Sequence, residues 1–105
     1  MITFRPAGSN DFETVYQFIN LLESTTFDRE SQQKIFLENL KNDQIIYLLA
    51  IENNQAVGFV SCHIQLLLHH SGPIAEIQEM VVAETHRSQG VGNKLMEFLL
   101  SELRK

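Results

Sequence analysis

Several residue types that mark whole classes of protein are rare or absent in this chain. It contains no tryptophan, two prolines and a single cysteine, Cys62, among 105 residues. One cysteine excludes an internal disulfide framework and suits a reducing compartment, so we expect a cytoplasmic location. Because Cys62 lies within an apolar run, we interpret it as a small buried core residue rather than as a nucleophile.

Long apolar runs and basic clusters are also missing. No apolar stretch approaches the roughly 20 residues of a membrane-spanning helix, and residues 1–5 show no signal-peptide pattern. The formal net charge is -5, with 8 Lys and Arg residues against 13 Asp and Glu residues. The absence of a basic stripe argues against nucleic acid and membrane partners. An acidic body would tolerate a cationic amine, although an ordinary solvated surface explains the same charge.

Two glycines spaced one residue apart are the most informative feature that is present. They belong to Arg87-Ser88-Gln89-Gly90-Val91-Gly92, which follows the apolar run 77–83 and opens the helical pattern 91–105. Glycine has no Cβ, so backbone N–H groups can approach an anion at the helix N-terminus. The residue three after Gly92 is Leu95, which excludes a dinucleotide fingerprint, and no P-loop pattern occurs. The segment predicts a phosphate-bearing ligand.

The pattern R-x-x-G-x-G after a strand resembles the acetyl-coenzyme A loop of the GCN5-related N-acetyltransferases, the GNAT superfamily. Residues 76–82, Glu-Ile-Gln-Glu-Met-Val-Val, are similar to the fourth strand of that family. The resemblance implies an enzyme that transfers an acetyl group from acetyl-CoA to a primary amine of a small molecule. It implies cofactor contacts from the end of that strand and from the loop, at Met80, Val81, Val82, Arg87, Ser88, Gln89, Gly90, Val91, Gly92 and Asn93.

Alternatives remain for some of these residues. The side chains of Met80, Val81 and Val82 fit an ordinary core, so only their backbone groups are expected to act on the cofactor, one of them as the oxyanion donor. Arg87 also fits a surface salt bridge.

A second resemblance covers the middle of the chain. The run His63-Ile64-Gln65-Leu66-Leu67-Leu68-His69-His70, followed by residues 75–82, is similar to the aminoalkylphosphonate N-acetyltransferases. This resemblance implies an aminoalkylphosphonate as one candidate acceptor. The subgroup is associated with divalent metal, and His63, His69 and His70 could bind a metal or a phosphonate. Adjacent histidines point apart on a strand and no metal-ligand spacing occurs, so structural or exposed histidines are favoured and no metal ligand is assigned.

Glu76 and Glu79 are the candidate general bases. An attacking amine must be neutral, so a carboxylate or a chain of waters has to remove its proton. Glu76 corresponds in position to the base of the histone-type members of the superfamily and is preferred. Glu79 points to the other face unless a bulge resets the alternation. Solvated carboxylates on an exposed strand face are the alternative for both residues.

Hydrophobic periodicity and turn residues predict the order β-α-α-β-β-β-loop-α. We expect a strand ended by Pro6, a helix capped by Asn10, and a second helix from Asp28 to about Lys41. Strands are expected at 45–51, 56–68 and 75–83, with Asn53-Asn54 as the first turn and Ser71-Gly72-Pro73 as the second. The resemblance therefore implies an α/β domain over 1–105, the GNAT acyltransferase fold, with a mixed, mainly antiparallel sheet flanked by helices.

The family pattern continues beyond the last helix with further strands and a helix, which the 105 residues do not include. The fold is therefore expected to be C-terminally incomplete, and neither Tyr16 nor Tyr47 corresponds to the family's tyrosine general acid. An uncovered strand edge and helix face predict a homodimer. Two other functions stay open, namely a non-catalytic acyl-CoA-binding or interaction module and a protein-lysine acetyltransferase.

Overall fold

The chain forms one antiparallel sheet with helices on both faces. The computed structural model describes residues 1–105. The elements are β1 (Thr3–Pro6), α1 (Phe12–Glu23), α2 (Arg29–Leu40), β2 (Ile45–Glu52), β3 (Gln55–Leu67), β4 (Gly72–Val82) and α3 (Val91–Leu103). The strands are ordered β1-β2-β3-β4, so β1 and β4 are the edges. The predicted α/β class, with a sheet flanked by helices, is confirmed, although all three strand pairs are antiparallel and the sheet is not mixed as expected.

Alternation along the strands divides the core into two layers. One layer lies between the sheet and the first two helices and contains Phe12, Val15, Phe18, Phe36, Leu49, Phe59 and Val81. The other lies between the sheet and α3 and contains Leu48, Ala50, Val57, Val60, Cys62, Val91, Leu95 and Leu99. Neighbouring residues of β2 and β3 therefore alternate between the two layers, as the period of two in a strand requires.

Cys62 belongs to the core beneath α3 and is 1% exposed. Burial raises the pKa of its thiol, which keeps it uncharged at neutral pH. This environment agrees with its interpretation as a small core residue. Among the helices of the chain, none is long and apolar enough to cross a membrane.

A side-chain bond explains where α2 begins, whereas α1 begins without a side-chain cap. Asp28 caps α2, since its Oδ2 accepts a bond from the Ser31 N–H at 2.9 Å, as predicted. The prediction of Asn10 as the cap of α1 is wrong, because a short 3₁₀ turn (Ser9–Asp11) precedes that helix. Its Asp11 carboxylate instead accepts the Gly8 N–H at 2.7 Å and forms a bidentate pair with Arg5.

Residues with positive φ form the tight turns of the sheet. Asn53 and Asn54 have φ of 52° and 64° and join β2 to β3, as predicted. Ser71 has φ of 55° and closes the hairpin between β3 and β4. Because this turn is so tight, β4 begins at Gly72, three residues before its predicted start at Ala75.

Candidate active site

The loop between β4 and α3 presents backbone N–H groups that have no partner in the chain. Gly90 has φ of 80°, and a Cβ built on it would meet no atom within 4 Å. No backbone N–H from Ser88 to Asn93 donates a hydrogen bond. Because these groups surround the first turn of α3, which begins at Val91, they add to the partial positive charge of its N-terminus. The loop can therefore hold an anionic group such as a diphosphate.

Arg87 fixes the start of this loop to the end of β4. Its Nε donates to the Val82 carbonyl at 3.2 Å, and its exposed guanidinium makes no ion pair. The alternative of a surface salt bridge therefore has no acidic partner here. A positive charge is left beside the unbonded N–H groups, where it can meet an anion.

A second contact ties the loop to the sheet. The Nε2 atom of His86 lies 2.7 Å from Oε1 of Glu52 at the end of β2. Bonding to His86 lowers the pKa of the Glu52 carboxyl, so this group is ionised at neutral pH. The other ring nitrogen of His86 lies 2.8 Å from the Thr85 hydroxyl. Both ring nitrogens of His86 therefore have partners, and these two bonds hold the residues just before Arg87 in place.

The end of β4 lies beneath the loop. A Cβ on Gly92 would lie 3.7 Å from the Met80 sulfur and 4.0 Å from a Val82 methyl. The Val81 side chain is buried in the opposite layer, against the first two helices. All three side chains are thus packing residues, and β4 is an edge strand whose outer backbone groups have no strand partner in the chain. These backbone groups are the part of residues 80–82 that a ligand can reach.

A bulge in β4 changes which residues face α1 and α2. Glu79 pairs with Ser61 and Ile77 pairs with Cys62, so Gln78 is the extra residue. Beyond it Glu76 pairs with His63. Because partners across an antiparallel pair share a face, the bulge places both glutamates on the side of α1 and α2.

Ser61 binds Glu79 at two points. The Glu79 N–H donates to the Ser61 oxygen at 3.0 Å, and the Ser61 hydroxyl donates to Oε1 of the Glu79 carboxylate. Ser61 is 0% exposed and is the one polar residue among the buried set. The carboxylate is therefore held by the residue directly opposite it on β3.

A cavity of about 420 Å³ lies between the sheet and the first two helices. Its polar lining consists of Glu23, Gln32, Asn39, His63, Gln78 and Glu79. Six aromatic side chains complete much of the wall, namely Phe12, Tyr16, Phe27, Phe36, Tyr47 and Phe59. No lysine or arginine lines it, so two carboxylates dominate its charge. The volume is that of a small-molecule site.

Tyr47 lies in the same row of the sheet as Ser61 and Glu79, since it pairs with Ser61 across β2 and β3. Its oxygen accepts a bond from the Asn39 side-chain amide at 2.7 Å. Burial raises the pKa of its phenol, and the charge of Glu79 acts in the same direction. Tyr47 therefore keeps its proton at neutral pH and can donate it in a hydrogen bond within the cavity.

The connection between α1 and α2 closes one side of the cavity. The Tyr16 hydroxyl donates to the Phe27 carbonyl at 2.6 Å, and the Phe27 N–H donates to the Asn20 side chain at 3.0 Å. These bonds place the Phe27 ring in the cavity wall. They also occupy the hydroxyl proton of Tyr16, which leaves Tyr47 as the tyrosine with a hydroxyl proton free of protein partners.

Of the remaining predicted residues, His63 lies in the cavity and the other three lie outside it. Glu76 is exposed on β4 and does not line it, whereas Glu79 does. His63 lines the cavity, but His69 and His70 are exposed in the hairpin between β3 and β4. No group of three or more His, Cys, Asp or Glu side chains is placed to hold a metal ion. Met80 and Val82 lie next to Gly92, Glu79 and His63 share the cavity, and His69 and His70 lie apart from both groups.

Comparison with known proteins identifies the family. The profile described as the acetyltransferase (GNAT) family matches residues 12–105. The chain belongs to the GNAT family of acetyltransferases. It is 36% identical over 101 residues to an aminoalkylphosphonate N-acetyltransferase of Salmonella typhimurium. That match covers 96% of this chain and 66% of the relative, so the GNAT chain described here spans about two thirds of that protein's length.

Solved structures show the same GNAT fold at low sequence identity. A transcriptional regulator from Bacillus halodurans superposes with a TM-score of 0.86 and 20% identity, covering 99% of this chain and 75% of its own. A predicted acetyltransferase from Clostridium acetobutylicum, crystallised with acetyl-CoA, gives a TM-score of 0.81 and 19% identity, covering 99% and 74%. At such identities the likeness establishes the fold. The predicted resemblance to the GNAT superfamily is confirmed.

The sequence did not indicate three residues of this candidate site. Ser61, Asn39 and Tyr47 stand in apolar or helical patterns typical of core and surface positions. Their roles arise from cross-strand pairing and from the packing of α2 over β2. A small polar residue within the apolar run 56–62 was the one signal available for Ser61, because a buried hydroxyl requires a partner.

Proposed function

We propose that this chain binds acetyl-CoA and transfers the acetyl group to a primary amine of a small molecule. The observation that carries the proposal is the set of unbonded N–H groups from Ser88 to Asn93, next to a strand that leads to a carboxylate-lined cavity. Glu79 precedes Val82 by three residues, so β4 connects loop and cavity over about 10 Å. Family membership supports the same activity.

The residues of the loop fit the diphosphate of coenzyme A. Gly90 leaves an open surface where a Cβ would otherwise project, and the N–H groups around it have no internal partner. Arg87 adds a charge that makes no ion pair within the chain. The loop contacts would come from Arg87, Ser88, Gln89, Gly90, Val91, Gly92 and Asn93. Backbone groups of Met80, Val81 and Val82 on the free edge of β4 would bind the amides of the pantetheine arm.

Glu79 is the proposed general base. It lines the cavity, and Ser61 orients its carboxylate. An amine enters as an ammonium ion, and Glu79 takes one of its protons so that the nitrogen lone pair is free. A C–N bond then forms to the acetyl carbon of acetyl-CoA, the C–S bond breaks, and the sulfur leaves as a thiolate. The acylated nitrogen releases its second proton to this thiolate, which yields the amide and the free thiol of coenzyme A. A backbone N–H at residues 80–82 is suited to stabilise the transient oxyanion.

The cavity is proposed as the acceptor site. Two carboxylates and six aromatic rings attract a protonated amine through charge and through cation–π contact. Tyr47 offers a hydrogen-bond donor and His63 a second polar group at the same surface. A small amine with an apolar or hydroxylated body fits this lining.

An aminoalkylphosphonate is the second candidate acceptor, favoured by the 36% identity to the Salmonella enzyme of that name. His63 is the cavity side chain that can carry a positive charge opposite a phosphonate. Turnover of 2-aminoethylphosphonate can be compared with that of ethanolamine in the parent and in His63→Gln. Selective loss with the phosphonate would support this candidate, and an equal effect on both amines would exclude a role of His63 in binding it. A divalent metal is a separate variable that a chelator series would test.

Two measurements separate acetyl transfer from simple cofactor binding. Isothermal titration with acetyl-CoA reports binding, and thiol release with a panel of amines reports turnover. Binding without turnover on any amine would favour a non-catalytic acyl-CoA-binding module. Turnover on lysine peptides but not on small amines would favour a protein-lysine acetyltransferase.

Association and location complete the proposal. The free edge of β4 favours a homodimer, because an unpaired edge is a template for a second strand. The buried, uncharged Cys62 and the absence of disulfides agree with a reducing compartment such as the cytoplasm.

A further inference from the structure

The one buried polar residue of the sheet lies opposite the proposed base. Ser61 is 0% exposed and stands between Val60 and Cys62, which face the core beneath α3. A buried hydroxyl is stable only when it is hydrogen-bonded. Ser61 meets that requirement through Glu79 alone, as its donor and as its acceptor.

These two bonds fix separate parts of Glu79. The bond from the Glu79 N–H to the Ser61 oxygen holds the backbone immediately after the bulge at Gln78. The bond from the hydroxyl to Oε1 holds the end of the side chain. A glutamate side chain has three rotatable bonds, so fixing both ends removes most of its rotamer freedom. The second carboxylate oxygen remains available to the cavity.

We propose that Ser61 is a positioning residue that orients the Glu79 carboxylate for proton removal from the acceptor amine. The inference rests on the proposed function, since it assigns Ser61 a task within the same site. Ser61 does not touch the reacting atoms and acts through Glu79. A merely structural serine would support the bulge through the backbone bond without affecting the chemistry of the carboxylate.

The surroundings of Glu79 show which other side chains could act on its carboxylate. Tyr47 faces it from β2, His63 from β3 and Glu76 from the same face of β4. Glu23 faces the cavity from α1, and the α2 residues that line the cavity are uncharged. Ser61→Ala leaves all of these groups in place, so its effect reports the lost hydroxyl bond.

Ser61→Ala should lower kcat by roughly 10- to 100-fold, as expected for one lost bond to a charged group. KM for acetyl-CoA should stay close to the parent value. Ser61→Cys, of similar volume but a weak donor, should behave like alanine, whereas Ser61→Thr should restore part of the rate. Ser101→Ala on the exposed side of α3 is the matched control.

A double-mutant cycle decides between positioning and structure. In a Glu79→Gln background, Ser61→Ala should cause little further loss of kcat, since its target is already removed. A full additional loss in that background would overturn the proposal. The mobility of the Glu79 side chain, measured by ¹³C relaxation in the parent and in Ser61→Ala, provides a readout without turnover. If no amine is acetylated, the proposed function fails, and unchanged mobility of Glu79 in Ser61→Ala would separately exclude the positioning role.

Discussion

Glu76 and Glu79 lie on the same face of β4, although three positions separate them along the strand. The bulge at Gln78 produces this relationship, since Glu79 pairs with Ser61 and Glu76 pairs with His63. In an unbroken strand the two side chains would point to opposite faces. Glu79 is the one that reaches the cavity, while Glu76 remains exposed.

We therefore expect the two glutamates to differ as bases. Glu79→Gln should lower kcat by about 10²–10⁴-fold, because the amide keeps the shape but cannot take a proton. Glu76→Gln is the matched control and should stay within a factor of a few of the parent. The loss in Glu79→Gln should shrink as pH rises, because neutral amine becomes abundant. Steady-state rates on one amine from pH 6 to 10 test this. A larger loss of kcat in Glu76→Gln than in Glu79→Gln would assign the role of general base to Glu76.

The elements of this fold were predictable because their signals are local. Asp28 and the pair Asn53-Asn54 act through bonds and dihedral angles within a few residues, and both predictions are confirmed. The cap of α1 was mispredicted because a 3₁₀ turn (Ser9–Asp11) precedes this helix and no side chain caps its first turn. The Asp11 carboxylate instead accepts from the Arg5 guanidinium on β1, a partner that is not set by helix-capping signals.

The cavity was not predictable from the same signals. Its walls come from α1, α2 and three strands, so its lining depends on how the layers pack. The sequence pointed to a bulge near residues 76–82 through the family resemblance, but its position at Gln78 depends on pairing with Ser61. The sequence favoured Glu76 as the base because of its spacing along the chain. The register of β4 against β3 instead determines that Glu79 reaches the cavity.

The loop glycine provides a second prediction. Gly90→Val should abolish acetyl-CoA binding, because φ of 80° is unfavourable for a β-branched residue and the side chain would fill the anion's place. Gly92→Val should weaken binding as well, since its side chain would crowd Met80. Isothermal titration measures both. Gly72→Val, where a Cβ meets nothing within 4 Å, is the control. Parent affinity in a folded Gly90→Val would remove the loop from the site.

The Arg5–Asp11 pair predicts a pH-dependent contribution to stability. Bonding to Arg5 lowers the pKa of the Asp11 carboxyl, so the folded state favours its ionised form. This stabilisation is present above the ordinary value of about 3.9 and is lost as pH falls through the lowered folded value. Asp11→Asn should cost about 1 kcal/mol at pH 7, a modest figure because Arg5 is half exposed. Urea unfolding at pH 7 and pH 3 should show a smaller difference in free energy of unfolding in acid. Asp43→Asn, exposed and unpaired, should change little at either pH.

The edge of β4 predicts self-association. Its outer backbone groups are unpaired, and Ile77 beside them is 40% exposed. We expect light scattering to show dimers at tens of micromolar, on the order of a weak interface's dissociation constant. Ile77→Lys should shift the distribution toward monomer, while Ile35→Lys on α2 should not. A clean monomer for the parent at that concentration would contradict the prediction.

Close packing of Gly58 against α3 gives the most direct test of the fold. A Cβ on Gly58 would lie 3.0 Å from a Leu95 methyl and 3.2 Å from a Val91 methyl, both buried. Gly58→Ala should therefore destabilise the protein by about 1–3 kcal/mol, because α3 must shift to admit the methyl group. Leu95→Ala alone should cost about 2–5 kcal/mol through the cavity it leaves.

The double variant decides whether this contact is the cause. In Gly58→Ala/Leu95→Ala the added methyl group occupies part of the space that the leucine side chain vacates. The loss in free energy of unfolding should therefore be smaller than the sum of the two single-variant losses, by about 1 kcal/mol or more. Gly72→Ala with Leu95→Ala is the matched pair, since Gly72 has no neighbour within 4 Å and the losses should add. Urea unfolding of the six proteins, including the parent, gives both coupling energies. Additive losses in the first pair would mean that α3 does not rest on Gly58 in solution.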